Sequence, residues 1–306
     1  MKSIAALVFL ALSSLSQANF KEIVTFGDSL TDMGNRSVSP EKKDVKFRQT
    51  WVAQLAGPKM LDIPDFKPSG INNFYNGGTN YAVGGSTTGY AADKGRDANK
   101  GQNLTVQISK RYLNPGFNTG GVRKEALHII RIGTNDIMAL SIQPEQIASA
   151  WATLDQEAVK VAKDVEGQIQ ALATGGVKYV MWGNLSDGSK FPSVINKVTL
   201  LGGESAPVAL KAISNASIAF NKEMDGAIER LQKANPELRI IKLDMDAKFN
   251  EIAADPGKFG FESVTVGAND DKHLFSADGL HPTNAGHKVL AEFAYQVISN
   301  QTVMAN

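Results

Sequence analysis

Four apolar runs punctuate this chain, and each stops at a residue that turns the backbone. Ile23-Val24-Thr25-Phe26 stops at Gly27, residues 127–132 at Gly133, residues 177–182 at Gly183 and residues 238–243 at Asp244. A weaker fifth run, Asn80-Tyr81-Ala82-Val83, stops at Gly84. Runs of this length without strict polar alternation suit strands covered on both faces, the situation of a parallel sheet. Helical periodicity fills the intervals. Residues 144–173 open with Pro144-Glu145 and repeat Ala158, Val161, Ala162, Val165, Ile169 and Leu172. Residues 207–234 carry a stripe of Leu210, Ile213, Phe220, Met224, Ile228 and Leu231, and residues 283–299 place Val289, Leu290, Phe293 and Val297 inward. The alternation predicts an α/β fold of three layers, α/β/α, around a mostly parallel, doubly wound sheet.

The ends of strands in such a sheet are where ligands bind, so the residues after each run matter most. The first run leads into Phe26-Gly27-Asp28-Ser29-Leu30, a serine on a tight turn. A serine there is also a common helix N-cap, so the tripeptide alone decides little. A base must come from four histidines. His128 lies inside an apolar run and reads as a core residue. His273 follows Asp270-Asp271 and reads as an exposed loop residue. His287 falls within the last helical segment and reads as a packing or helix-surface residue. His281 differs, because Asp278-Gly279-Leu280-His281-Pro282 puts a carboxylate three residues before it. Gly279 allows a turn between the two, and Pro282 pushes His281 toward extended geometry. Asp278 can then accept from one ring nitrogen and leave the other for Ser29. A plain Asp-Gly turn before a helix capped by Thr283 or Asn284 uses the same residues.

Two further blocks offer hydrogen-bond donors. Gly133-Thr134-Asn135-Asp136 follows the second strong run and supplies a neutral amide at Asn135, while Asp136 reads as a helix cap. Gly84-Gly85 ends the weak run, and a glycine lets its N–H approach a ligand closely. Together the four blocks hold a nucleophile, a base, a base-orienter and anion stabilisers, the parts that acyl transfer requires. An unperturbed imidazole titrates near pH 6.5, so activity is expected to fall as His281 protonates.

The string from Phe26 through Asn35, Phe-Gly-Asp-Ser-Leu-Thr-Asp-Met-Gly-Asn, resembles the first block of the GDSL, or SGNH, hydrolases. There is no G-x-S-x-G, so the nucleophile elbow of ordinary α/β-hydrolases is absent. The resemblance spans nearly the whole chain beyond residue 18 and implies the SGNH hydrolase fold with its flavodoxin-like sheet. Carried over residue by residue, it makes Ser29 the nucleophile, His281 the general base and Asp278 its orienter. It places the Ser29 N–H, Gly85 and Asn135 in the oxyanion hole, and it alone selects Gly85 over Gly84. Residues 47–52 around Trp51 and residues 184–192 are similar to the lipolytic branch of secreted phospholipases, lysophospholipases and acyltransferases. Ser186 stands where that branch has proline, and Gly188 follows Asp187 directly. The branch also contains esterases of short-acyl and choline esters, for which Trp51, Phe74, Tyr75 and Tyr90 offer aromatic faces.

Three activities share these residues: hydrolysis of lipid, lysophospholipid or short-acyl esters, acyl transfer to an alcohol or sterol, and non-catalytic binding of lipid or carbohydrate. No cofactor is expected. No H-E-x-x-H zinc motif occurs, and residues 93–99, with acids at 93 and 97, fit a solvated loop better than a calcium loop.

The first residues bear on where the protein works. Met1-Lys2, an apolar run from Ile4 to Leu15 and Ser16-Gln17-Ala18 make a secretory signal with cleavage expected after Ala18. The mature chain, 19–306, is then expected to be one domain, secreted or periplasmic. Loss of Lys2 takes the formal charge from +1 to zero, which argues against a nucleic-acid partner. No later run is long enough for a membrane span. With no cysteine, an exported protein must be held by its core rather than by disulfides. Residues 57–78 and 89–103, rich in Gly, Pro, Asn and Asp, are expected to be long surface loops that could shape a substrate pocket.

Overall fold

Alternate residues of the first strand face opposite sides, and both sides are apolar. Val24 and Phe26 join one buried cluster and Ile23 the other, so helices must cover both faces. A computed structural model of the protein describes residues 20–35, 49–71, 75–94, 101–141 and 151–303. Its main sheet has four parallel strands in the order β1 (Ile23–Gly27), β2 (Leu127–Arg131), β3 (Tyr179–Gly183), β4 (Arg239–Leu243). Ile23 pairs with Leu127, Leu127 with Tyr179 and Tyr179 with Arg239. All four carboxyl ends therefore reach the same edge.

The helices are α1 (Trp51–Leu55), α2 (Tyr90–Asp93), α3 (Thr134–Ser141), α4 (Leu154–Thr174), α5 (Pro192–Gly202), α6 (Ala206–Ala234), α7 (Met245–Ala254) and α8 (Asn284–Val303). On one face Val24, Phe26, Ile130, Val180 and Trp182 pack against the apolar stripes of α4 and α6. On the other, Ile23, Leu127, Ile129 and Met181 pack against α1 and α8. This is the three-layer arrangement expected from the sequence.

The weak run 80–83 does not become a regular strand. It lies along the outer side of β1, with Tyr81 N donating to Thr25 O at 2.7 Å and Val83 N to Gly27 O at 3.1 Å. Its own outer neighbour is the Pro68 bridge, and proline cannot donate to a ladder. Counting this segment, the order outward to inward is segment, β1, β2, β3, β4, the flavodoxin-like order.

Two expectations need correction. Residues 57–78 are not merely a surface loop, because Leu61, Ile63 and Phe66 are buried against α1 and α8. Residues 89–103 contain α2, while 95–100 lie outside the described residues, as do 1–19 with the proposed leader and the first part of the 144–173 helix. Among the described residues no helix is long and apolar enough to cross a membrane.

Two histidines sit in this core with neutral rings. His128 in β2 meets the Tyr112 hydroxyl at 2.7 Å and donates from Nδ1 to Ala126 O at 3.0 Å. His287 in α8 accepts from the Trp51 N–H at 3.2 Å, so it is a packing residue rather than a surface one. Burial pushes His128 down to about 4. Burial, aided by His281, pushes His287 down to about 3. Unfolded histidines take up a proton near pH 6.5, so below that pH the unfolded chain binds more protons than the folded one. Stability is therefore expected to fall from about pH 6.5 toward pH 4 with a slope near two protons. Urea unfolding measured across that range checks it, and a flat profile would refute the buried neutral assignment.

Candidate active site

Ser29 sits one turn beyond the carboxyl end of β1. Gly27 is required there: its φ is +147°, and a Cβ would lie 2.3 Å from the Arg131 carbonyl oxygen. Gln107, fully buried, brackets the same glycine, accepting from its N–H at 2.8 Å and donating to its carbonyl at 2.9 Å. No full helix follows. Thr31 and Asp32 N–H groups close a single turn on Asp28 O.

Asp28 fixes that turn from below. Its Oδ2 accepts from Arg131 Nη1 at 3.0 Å, with both side chains 2% exposed. Its Oδ1 accepts from the Leu30 N–H at 3.0 Å. Asp32 is the second buried acid of the turn. It accepts from the N–H groups of Gly34, Asn35 and, at 2.7 Å, Gly84. The 80–85 segment is thus clamped to the Ser29 turn, and Asn80 adds bonds to Thr25 Oγ1 and Thr31 O.

The far end of the chain arrives at the same place. His281 Nε2 lies 2.7 Å from Ser29 Oγ, and His281 Nδ1 lies 2.6 Å from Asp278 Oδ2. Asp278 Oδ1 also accepts from Ser276 Oγ and from the N–H groups of Leu280 and His281, each at 2.9 Å. Burial would raise the Asp278 carboxyl, but these bonds and the imidazole hold it far below the usual carboxylate range. An ionised Asp278 fixes the ring so that Nδ1 carries the proton and Nε2 accepts from the serine hydroxyl. Gly279, at φ +66°, makes the intervening turn, where a Cβ would press on Ser193 N at 2.9 Å.

Asn135 stands in the first turn of α3 and donates one amide hydrogen to Ser86 O at 2.9 Å. Among the described residues its second amide hydrogen meets no acceptor, and neither do the N–H groups of Ser29 and Gly85. Asp136 is not a cap for its own helix. It is fully buried and accepts from Thr88 N and Thr88 Oγ1, tying α3 to the segment after Gly85. Burial pushes its carboxyl up to about 7.

The remaining sequence candidates lie elsewhere. His273 is not a free loop residue: it starts the short strand β6 (His273–Phe275), paired with β5 (Ser263–Gly267), and contacts Asp270 at 2.7 Å. Trp51 is fully buried and offers no aromatic face to a ligand. Tyr90 bonds Glu157, and Phe74 lies outside the described residues. Sequence reasoning gave no role to Gln107 or Arg131. No local signal marks Gln107, 80 residues from the glycine it holds. A mainly apolar cavity is lined by Phe191, Phe249 and Phe275 and by Leu30, Leu280 and Pro282, the chain neighbours of Ser29 and His281.

Comparison with known proteins agrees with this architecture. The family model for GDSL-like lipase/acylhydrolase matches residues 23–294. A protein of Pseudomonas putida described as uncharacterised, from the trpE-trpG intergenic region, is 25% identical over 92% of the chain. Lipase 1 of Photorhabdus luminescens is 21% identical over 95% of it. The chain spans 49% and 52% of those two relatives. A GDSL esterase/lipase of Arabidopsis thaliana is 23% identical over 90% of the chain and 84% of its own length.

The buried Asp28–Arg131 pair predicts a specific loss. Arg131→Met leaves Asp28 charged, buried and unpaired, and is expected to cost about 3–5 kcal/mol of stability. Adding Asp28→Asn should recover part of it. Denaturant unfolding of the single and double variants measures both, and equal stability of wild type and Arg131→Met would contradict the assignment.

Proposed function

The chain belongs to the GDSL-like lipase/acylhydrolase family, a family of carboxylic ester hydrolases, and from that premise we propose that it hydrolyses acyl esters through Ser29. The contact that carries the reading is the 2.7 Å approach of His281 Nε2 to Ser29 Oγ, across 252 residues of sequence. Ser29 Oγ attacks the ester carbonyl carbon while its proton passes to His281 Nε2. Asp278, held ionised, orients the ring and stabilises the imidazolium. The tetrahedral oxyanion takes hydrogen bonds from the N–H groups of Ser29 and Gly85 and from the amide of Asn135. His281 then returns the proton to the leaving alcohol oxygen, and the acyl group stays on Ser29. Water, deprotonated by His281, attacks the acyl carbon. The carboxylic acid leaves and the serine hydroxyl is restored.

The apolar cavity beside Leu30 and Leu280 favours an apolar acyl group, in keeping with the name of Lipase 1, a relative. The charged start, apolar run and Ser16-Gln17-Ala18 of the sequence support export of the protein to an oxidising compartment. Residues 19–306 act as a single hydrolase domain in this reading.

A fluorophosphonate should label the protein covalently at one residue, and Ser29→Ala should abolish labelling and lower kcat by about 10⁴-fold or more. Asn135→Ala should retain labelling but lose roughly 10²–10³ in kcat. The product should be free carboxylic acid, with no new ester when an alcohol is added. Labelling that survives Ser29→Ala refutes the nucleophile.

A further inference from the structure

Helix α6 is longer than the sheet it covers. It has 29 residues, about 43 Å at ~1.5 Å each. Its level against the sheet is fixed near its middle. Phe220 packs on Trp182 of β3 with ring centroids 5.8 Å apart, and its ring stands 3.0 Å from the position of a Cβ at Gly133. Asn221 bonds both the N–H and the carbonyl of Leu185. Gly133 and Leu185 lie just past the carboxyl ends of β2 and β3. The C-terminal end of α6 leads back to the start of β4 at the opposite edge. Residues 206–219 therefore rise roughly 20 Å beyond the sheet, on the edge that carries Ser29.

Helix α5 runs with this projecting half as a hairpin. Its first turn rests on the site, since Ser193 N donates to Gly279 O at 3.0 Å, between Asp278 and His281. Its last turn and the first turn of α6 form the tip. There Leu200 is 83% exposed, Val208 62% and Leu201 45%. Exposed single aliphatics need no explanation, but three around one Gly202-Gly203 turn form a patch. Lys197 and Lys211 flank it. Both are exposed, and neither has an ion pair among the described residues. The tip contributes one acid, Glu204.

We propose that the α5–α6 tip docks on the surface of aggregated anionic lipid, with Leu200, Leu201 and Val208 entering the acyl boundary and Lys197 and Lys211 meeting the headgroups. Aliphatic residues at the apex of a hairpin, with one exposed lysine on each helix beside them, match a surface that is apolar below and negative above. A second protein copy would bury the leucines but would bring the lysines against each other. Continuity with the site adds a use: docking the tip holds the Ser29 edge toward the lipid. The proposal rests on the ester-hydrolase reading for its purpose, and its test does not depend on that reading.

Vesicle sedimentation with Ser29→Ala protein and equimolar phosphatidylcholine and phosphatidylglycerol reads binding without turnover. Leu200→Ser, Leu201→Ser and Val208→Ser combined should weaken binding at least about tenfold. Lys197→Gln with Lys211→Gln should weaken it selectively on the anionic vesicles relative to pure phosphatidylcholine. In the active background the triple serine variant should keep its rate on a monomeric water-soluble ester, which also reports its fold, and lose rate on vesicle-borne ester. Unchanged vesicle binding by the folded triple variant overturns the proposal. So does a concentration-dependent dimer that the same variant abolishes. Failure of Ser29 labelling would sink the hydrolase reading and leave the binding result standing.

Discussion

The Asp28–Arg131 ion pair is the constraint on which the site depends. Both groups are taken out of water, and a buried pair is rarely worth more than an apolar replacement. Its value here is positional. Arg131 is the last residue of β2 and Asp28 the first after β1, so the pair locks the turn carrying Ser29 to the neighbouring strand. Asp28 uses its second oxygen on the Leu30 N–H, so the carboxylate is held from the strand side and the turn side together. Gln107 and Asp32 extend the same logic to Gly27 and Gly84. The backbone around Ser29 is thus tied by directed bonds from the buried Asp28, Asp32 and Gln107 side chains, which fix its geometry in a way that undirected apolar packing does not.

The other half of the site is built differently. Asp278 and His281 lie in an exposed turn, and almost every partner they have is local: Ser276, Leu280 and each other. Such a turn keeps its internal shape wherever it is placed. Its placement comes from Gly279 against Ser193 at the start of α5 and from the bond of Ser276 N to His281 O at 2.8 Å. A preformed acid–imidazole unit is docked against a rigid serine turn, and the chain neighbours Leu30, Leu280 and Pro282 line the apolar cavity.

This division explains what the sequence reveals. The strands that pack on both faces are legible because apolar runs need no long-range information, and the long helices are legible from their stripes. The Asp278–His281 unit is legible because its bonds are three residues apart. What escapes is non-local or non-periodic. Gln107 and Arg131 act on Gly27 and Asp28 across 80 and 103 residues respectively. Residues 61–66 look like loop because their apolar side chains follow turns rather than a helix or strand period. The 80–83 run looks like a strand, yet its outer side meets proline. Asp136 has the composition of a cap, but the cap reading ignores Thr88, 48 residues away.

The length of α6 joins these points. A helix that only covered a five-residue strand would need a turn or two on either side. α6 instead continues past Phe220 and Asn221, and that excess does two things for the site. Asn221 braces the strap after β3, whose Asp187 is in turn held by Ser214 farther up the same helix at 2.9 Å. The projecting half also gives α5 a partner to lie on, and α5 is the element against which the Asp278–His281 turn is seated. The Asp278–His281 turn is therefore held on two sides, by α5 through Ser193 N to Gly279 O and by β6 through the Phe275–Pro282 bridge and Ser276 N to His281 O, while the serine turn is held by β1 and β2.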